Sequence, residues 1–270
     1  MNNPTGIFFL IATLVILAAE IIAGRHRKAY QNGEMLVTGL CAAIGLAIAR
    51  PASALLASWI FAQLLPRYQG ALEHLPFWPS LIAILLITEF GFYWAHRAAH
   101  ESRGTRFEWF WGFHRTHHSG KFMNVLLNFR VLPIWSFIVP NTWVWGLAVY
   151  LGQGPATAGV IIIATIWNLV THSNFRWDDA IRRHAFWGPF MRGIEHVVVT
   201  PGIHHTHHGY GKDGASYRNY AVVLSLYDWI FGTLHIPQGR PTKYGLPGPN
   251  NDHWTREVFY PFNQLIKRKG

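Results

Sequence analysis

Histidine carries the chemistry of this sequence. Sixteen His occur in 270 residues, and nine of them fall into three clusters. His96-x-x-x-His100 comes first, His114-x-x-His117-His118 second, and His204-x-x-His207-His208 third, with His205 inside the last. On a helix, spacings of three and four place the rings on one face. Random placement at this frequency yields about one HxxxH but only about 0.05 HxxHH per chain, so two copies of the latter are a strong signal. Neutral imidazole is a standard ligand for Zn, Cu, Fe and Ni. Eight rings exceed what one ion coordinates, and two ions are the economical reading. The lone Cys41 excludes an intrachain disulfide and a Cys-based zinc site. It lies in the apolar run Gly39–Ala49 and is expected in the core.

The elements that position these rings are apolar. The chain is 50% hydrophobic and only 13% charged, about half the charge density of a soluble domain. So little charge cannot cover a globular surface, which argues against an ordinary soluble enzyme, a disordered chain and a collagen-like fibre. Five apolar runs follow. Ile7–Ala23 is just long enough to span. Met35–Leu65, broken by Arg50-Pro51, reads as one crossing kinked at Pro51, with a re-entrant hairpin as the alternative. Phe77–Ala95 leads into His96. Val131–Leu151 and Pro155–Thr171 read as a hairpin through Gly152-Gln153-Gly154. The expected fold is an all-α polytopic membrane protein, with four to five transmembrane helices and a cytosolic helical histidine-rich cap.

Charge supports that topology. Residues 96–130 carry six Lys/Arg against two acids, and 172–270 carry twelve against seven, while the other side holds only Arg67 and Glu73. Arg25-His26-Arg27-Lys28 closes the first run. By the positive-inside rule the histidines and the C-terminus are cytoplasmic, in a bacterial inner membrane or the endoplasmic reticulum. The net charge of +10 is thereby explained, with Lys267-Arg268-Lys269 as a lipid-head contact. No basic reading element is visible, so nucleic acid is not an expected partner.

At this point the sequence resembles the integral-membrane fatty acid hydroxylase/sterol desaturase superfamily of histidine-box di-iron enzymes. The matching text runs from Glu89-Phe-Gly-Phe-Tyr93-Trp-Ala-His96-Arg97-x-x-His100 to Trp111-Gly-Phe-His114-Arg-x-His117-His118-Ser119. It continues through His172-Ser-Asn174, Thr200-Pro201-x-x-His204-x-x-His207-His208-Gly209, Asn219-Tyr220-Ala221 and Asp228-Trp-Ile-Phe231-Gly232-Thr233. The resemblance implies two iron ions and O2 as co-substrate; zinc binds such ligands more tightly than ferrous iron and is expected as a substitute in purified protein. It implies hydroxylation or desaturation of an unactivated C–H bond of a membrane lipid. By carry-over the ligands are His96, His100, His114, His117, His118, His204, His207 and His208, with His172 as a ninth. Residues 1–84 would form an N-terminal transmembrane region, 85–235 the catalytic domain and 236–270 a basic tail. No cytochrome b5-like segment is present, so a separate cytochrome b5-like or ferredoxin-type donor is expected.

Acyl-hydroxylating relatives often carry a second His four residues beyond the His172 position; here it is Arg176, which cannot ligate as a cation. His184 and His196 are weak substitutes for that tenth ligand, and His205 is expected to point away or to hydrogen-bond behind a ligand. His26, His74, His235 and His253 read as surface residues. Glu89 lies in an apolar run seven residues before His96, on nearly the same helix face. Intramembrane carboxylates are costly and usually functional, so Glu89 is expected to hydrogen-bond a ligand ring, and Asn219 and Asp228 likewise. Trp109 and Trp111 are expected to wall a dry site. Trp59, Trp78, Trp94, Trp135, Trp143 and Trp145 suit interfacial belts. A metal transporter is the competing class, but transporters place ligands near the bilayer midplane, where this chain has no His. A metalloprotease would need His-Glu-x-x-His, which is absent.

Overall fold

The computed structural model describes residues 4–25, 32–248, 253–260 and 262. His26-Arg27-Lys28, Lys267-Arg268-Lys269 and the end of the Arg240–Asn251 loop lie outside the described residues. Helix α1 (Pro4–Ile22) comes first. Then α2 (Asn32–Ile44), a π turn (Gly45–Ala49) and α3 (Arg50–Leu64) form one continuous helix. A proline ring cannot accommodate the carbonyl four residues back. The π turn directly before Pro51 opens the helix at that place, so the segment is one continuous helix and not a hairpin.

Helix α4 (Phe77–Glu101) has 25 residues. It leads through α5 (Glu108–His118), α6 (Trp135–Ile138) and α7 (Pro140–Tyr150) to α8 (Gly154–His172). Among the described residues, three helices are long and apolar enough to cross a membrane: Gly33–Leu64, Phe77–Glu101 and Gly154–His172; Gly6–Ile22 is a shorter apolar helix. The chain is an all-α integral membrane protein. Val131–Leu151 is not the single helix its hydropathy predicts. Pro140 holds Val139 extended (ψ 137°). Helix α7 therefore has 11 residues, about 16 Å, too short to span alone. It fits tightly between α3 and α4. A Cβ on Gly146 would lie 2.8 Å from the Ala57 Cβ, and one on Gly91 would lie 2.8 Å from the Pro140 Cβ.

The helices share two ends. At one, Gly70 N–H donates to the Tyr150 carbonyl (3.0 Å) and Leu72 N–H to Leu151 (2.8 Å). At the other, the C-terminal turns of α4 and α8 deliver His96, His100 and His172. A cap covers that end: α5, α9 (Trp177–Arg183), α10 (Trp187–Ile194), α11 (Pro201–His208), α12 (Leu226–Ile230) and α13 (Trp254–Val258). Two-residue strands β1 (Gly209–Tyr210) and β2 (Lys243–Tyr244) pair antiparallel. The cap reaches back along the spanning helices. Tyr227 Oη donates to the Leu86 carbonyl (2.8 Å) and Trp167 Nε1 to the Val199 carbonyl (2.7 Å). Tyr93, Val199, Ile203, Tyr220 and Ala221 form the apolar core beneath the site.

Candidate metal centre

The structure brings together all nine histidines named from the sequence. They form two adjoining groups: His96, His100, His114, His118 and His207, then His117, His172, His204 and His208. All nine are buried, and within each group one nitrogen per ring lies within 4.8 Å of the others. No carboxylate joins either group among the described residues. The His118 ring of the first group stacks on His208 of the second, with centroids 4.4 Å apart. Adjacent His117 and His118 on α5 therefore face different groups, as do His207 and His208 on α11.

Hydrogen bonds fix which nitrogen points inward. His96 Nδ1 lies 2.6 Å from the Tyr220 carbonyl, His172 Nδ1 2.8 Å from Asn168, and His207 Nδ1 2.7 Å from Arg218. A carbonyl only accepts, so each Nδ1 carries the proton and each Nε2 is a bare lone pair. His96 Nε2 and His207 Nε2 nevertheless sit 3.1 Å apart. Neither holds a proton, so this approach is not a hydrogen bond; a shared cation resolves it. Two nitrogens about 2.1 Å from one ion and at right angles lie about 3 Å apart. The same spacing recurs between His100 and His118 (3.1 Å), His118 and His114 (3.0 Å), His204 and His172 (3.0 Å), and His172 and His117 (3.3 Å). His208 Nε2 is buried without a partner. The donor set fits two metal ions.

Electrostatics agrees. Burial, reinforced by neighbouring imidazoles, holds His114, His117, His118, His204 and His208 well below the ordinary imidazole range. Burial lowers His207 to about 4 against the opposing effect of its bond to Arg218. These rings are neutral at pH 7, the form that ligates. Trp111 packs on His100 and Trp135 on His114, with centroids 4.9 and 5.0 Å apart. Trp135 therefore walls the site instead of joining a belt. Trp109 is 44% exposed and does not wall it.

His205 turns away. Its Nε2 donates to the Ser173 carbonyl (3.0 Å), and it belongs to neither group. His184 Nδ1 accepts from the Phe186 and Trp187 amides, and His196 Nδ1 donates to the Arg192 carbonyl.

The expected ring contacts of Glu89, Asn219 and Asp228 are replaced by backbone contacts. Glu89 Oε2 accepts from Val223 N (2.7 Å) and Leu224 N (3.0 Å). Asp228 accepts from Tyr220 N (2.7 Å), Ala221 N (2.9 Å) and Thr233 Oγ1 (2.7 Å). Asn219, at φ +60°, donates to the Ile203 and His235 carbonyls and accepts from His235 N. The segment after the third box supplies these partners, because seven residues along α4 carry Glu89 about 10 Å below His96. All three fasten the loop whose Tyr220 carbonyl orients His96.

Sequence reasoning missed two further groups. Glu20, fully buried at the end of α1, accepts from Val125 N (3.2 Å) and Asn174 N (2.6 Å). It joins the segments that follow the second box and His172. Asp178, Asp179, Arg182, Glu195 and Arg240 form a buried ionic network. Asp178 Oδ2 also accepts from Gly202 N (2.6 Å) at the start of α11, where the helix dipole favours an anion. The network fixes the helix that carries the third box. Glu257 of α13 likewise binds α5: its carbonyl accepts from Thr116 Oγ1 (2.6 Å) and its carboxylate lies 3.3 Å from Arg115.

A helical membrane protein with two abutting all-histidine clusters at one end of its spanning helices is, by class, a membrane metalloprotein. The chain belongs to the fatty acid hydroxylase family, whose profile matches residues 81–233. It is similar to alkylglycerol monooxygenase of Danio rerio, 28% identical over 68% of this chain and 37% of the relative. The human alkylglycerol monooxygenase is 30% identical over 60% of this chain and 32% of the relative. The ornithine lipid hydroxylase of Rhizobium tropici is 28% identical over 73% of this chain and 55% of the relative. The aligned part of each relative is thus between 32% and 55% of its length. No solved structure matches the chain.

Proposed function

We propose that this protein is a membrane-bound di-iron oxygenase that hydroxylates an unactivated C–H position of a lipid. One observation carries the reading: buried histidine nitrogens approach each other at 3.0–3.3 Å in two adjoining groups, and in the His96–His207 pair both are bare. The overall reaction is RH + O2 + 2 electrons + 2 protons giving ROH + H2O. Hydroxylation is favoured over desaturation because the relatives cited above are named monooxygenase and hydroxylase. Residues 85–235 would be the catalytic unit, roofed and braced by Glu257 and Glu20 from outside it.

His96, His100, His114, His118 and His207 would hold one ion, and His117, His172, His204 and His208 the other. Bound iron would supply O2 activation and C–H oxidation. The Tyr220, Asn168 and Arg218 carbonyls hold three Nδ1 protons, so the opposite nitrogens stay aimed inward. Trp111, Trp135 and the buried Tyr220 exclude water from the first group. Glu89, Asn219 and Asp228 act through the Tyr220 loop. The histidine end would face the cytoplasm, where a separate cytochrome b5-like or ferredoxin-type donor delivers electrons.

The test is iron-loaded protein in lipid nanodiscs with O2 and a reductant system. A lipid product heavier by one oxygen atom, absent without O2, is expected. Two bound metals with no lipid oxidation under any donor would contradict the oxygenase reading.

A further inference from the structure

Outside the two histidine groups, the cap holds a cavity of about 100 Å³ lined by Arg176, Asp179, Arg182, Arg183, Gln238 and Arg240. Four guanidiniums share it with one carboxylate. Asp179 is already committed: Oδ1 accepts from Arg182 and Oδ2 from Arg240, both at 2.9 Å. The buried acids Asp178 and Glu195 are committed to the same two arginines. Arg176 and Arg183 remain. The Arg176 guanidinium makes no hydrogen bond or ion pair among the described residues. Arg183 spends only Nε, on the Asp179 carbonyl (3.1 Å). Arg240 keeps a buried Nη1 without a partner. The four arginines exceed the three acids by one charge, and two planar forks face the cavity unused. This is the donor set that binds an oxyanion bidentately.

The surroundings choose the carrier of that oxyanion. Exposed Trp177 and Ile181 share α9 with Arg183, and Phe186 (73% exposed), Trp187 and Phe190 follow it. Contiguous exposed aromatics mark a lipid-facing surface. Level agrees with composition. The chain leaving α10 is tied at Val199 to Trp167 of α8, five residues and about 7 Å back into the span from His172. Helices α9 and α10 therefore lie where α8 emerges from hydrocarbon, the depth of lipid headgroups. We propose that this cavity binds the phosphodiester headgroup of an anionic membrane lipid, with Arg176 and Arg183 as its principal donors. The cavity lies outside the two histidine groups, and its two principal donors, Arg176 and Arg183, take no part in the ionic network that braces α11.

The experiment uses the full chain in detergent with equal amounts of phosphatidylglycerol and phosphatidylcholine, and native mass spectrometry counts the retained lipid. Phosphatidylglycerol should be preferred by about tenfold or more, near the contribution of two surface arginines. The double variant Arg176→Gln/Arg183→Gln should fall to parity with an unchanged melting temperature, since neither side chain is buried. Arg67→Gln, at the opposite end, should keep the preference. A parallel arm adds inorganic phosphate alone. Binding of phosphate without preference for phosphatidylglycerol would overturn the lipid assignment, and binding of neither would overturn the site. Iron content does not enter this readout, so its outcome is separate from that of the oxygenase reading.

Discussion

The Nδ1 of His96 lies 2.6 Å from the Tyr220 carbonyl, and this one bond decides the direction of the His96 lone pair. The peptide that accepts it is itself held, because its N–H, that of Ala221, donates to Asp228 Oδ2 (2.9 Å), and the preceding N–H, that of Tyr220, donates to Asp228 Oδ1. Removing Asp228 leaves the Tyr220 and Ala221 N–H groups and the Thr233 hydroxyl without their acceptor. Asp228→Ala should weaken metal retention by about 10–100-fold, the usual cost of losing a group that supports a ligand. Competition with a chelator measures this. Wild-type retention would show that the loop does not orient His96.

Glu89 separates two roles. Both of its hydrogen bonds end on Oε2, so an amide oxygen can replace it. Glu89→Gln should keep near-normal iron, whereas Glu89→Ala should melt lower by about 1–3 kcal/mol as buried N–H groups lose their acceptor. Equal damage in both variants would mean that the carboxylate charge itself is required.

The ionic network behind α11 should be costly to break. Asp178→Ala strips a partner from both Arg182 and Arg240 and from Gly202 N. Leaving buried charge uncompensated costs about 3–5 kcal/mol. Thermal melting in detergent should show a large drop together with loss of the His204 group's metal. A drop below about 1 kcal/mol would contradict the burial of this network.

Acid should destabilise the metal-free protein. The unfolded imidazole binds a proton near pH 6.5, while folded His207 does so only near 4. Between those values the unfolded state binds more protons, so stability falls as pH is lowered through the window. Bound metal competes with the same protons and should hold the melting temperature up until a lower pH. A melting temperature flat from pH 7 to 4 without metal would contradict neutral buried histidines.

Histidine was legible because a helix writes its face into sequence at intervals of three and four. His114, His117 and His118 announce themselves, as do His204, His207 and His208. His172 came only through the resemblance. What was illegible lacks a local pattern. Glu20 is a single acid inside the apolar run Ile7–Ala23, and its partners Val125 and Asn174 are far along the chain. Asp178, Arg182, Glu195 and Arg240 meet only after folding, and charges so spaced resemble any solvated surface. Glu89 stands out in the sequence as a carboxylate in a span, but its partners do not, because seven residues is also a distance of two turns down the helix. The break at Pro140 was hidden for the opposite reason: hydropathy records burial and not continuity.

The central claim is that nine histidines hold two iron ions for oxygen insertion into a lipid. The most direct measurement supplies isotope-labelled O2 to iron-loaded protein in nanodiscs and follows the lipid by mass spectrometry, beside His204→Ala. The account predicts one labelled oxygen atom in the lipid, two iron ions per wild-type chain, and loss of both labelling and one ion in the variant. Unlabelled product, or labelling undiminished in His204→Ala, would contradict it.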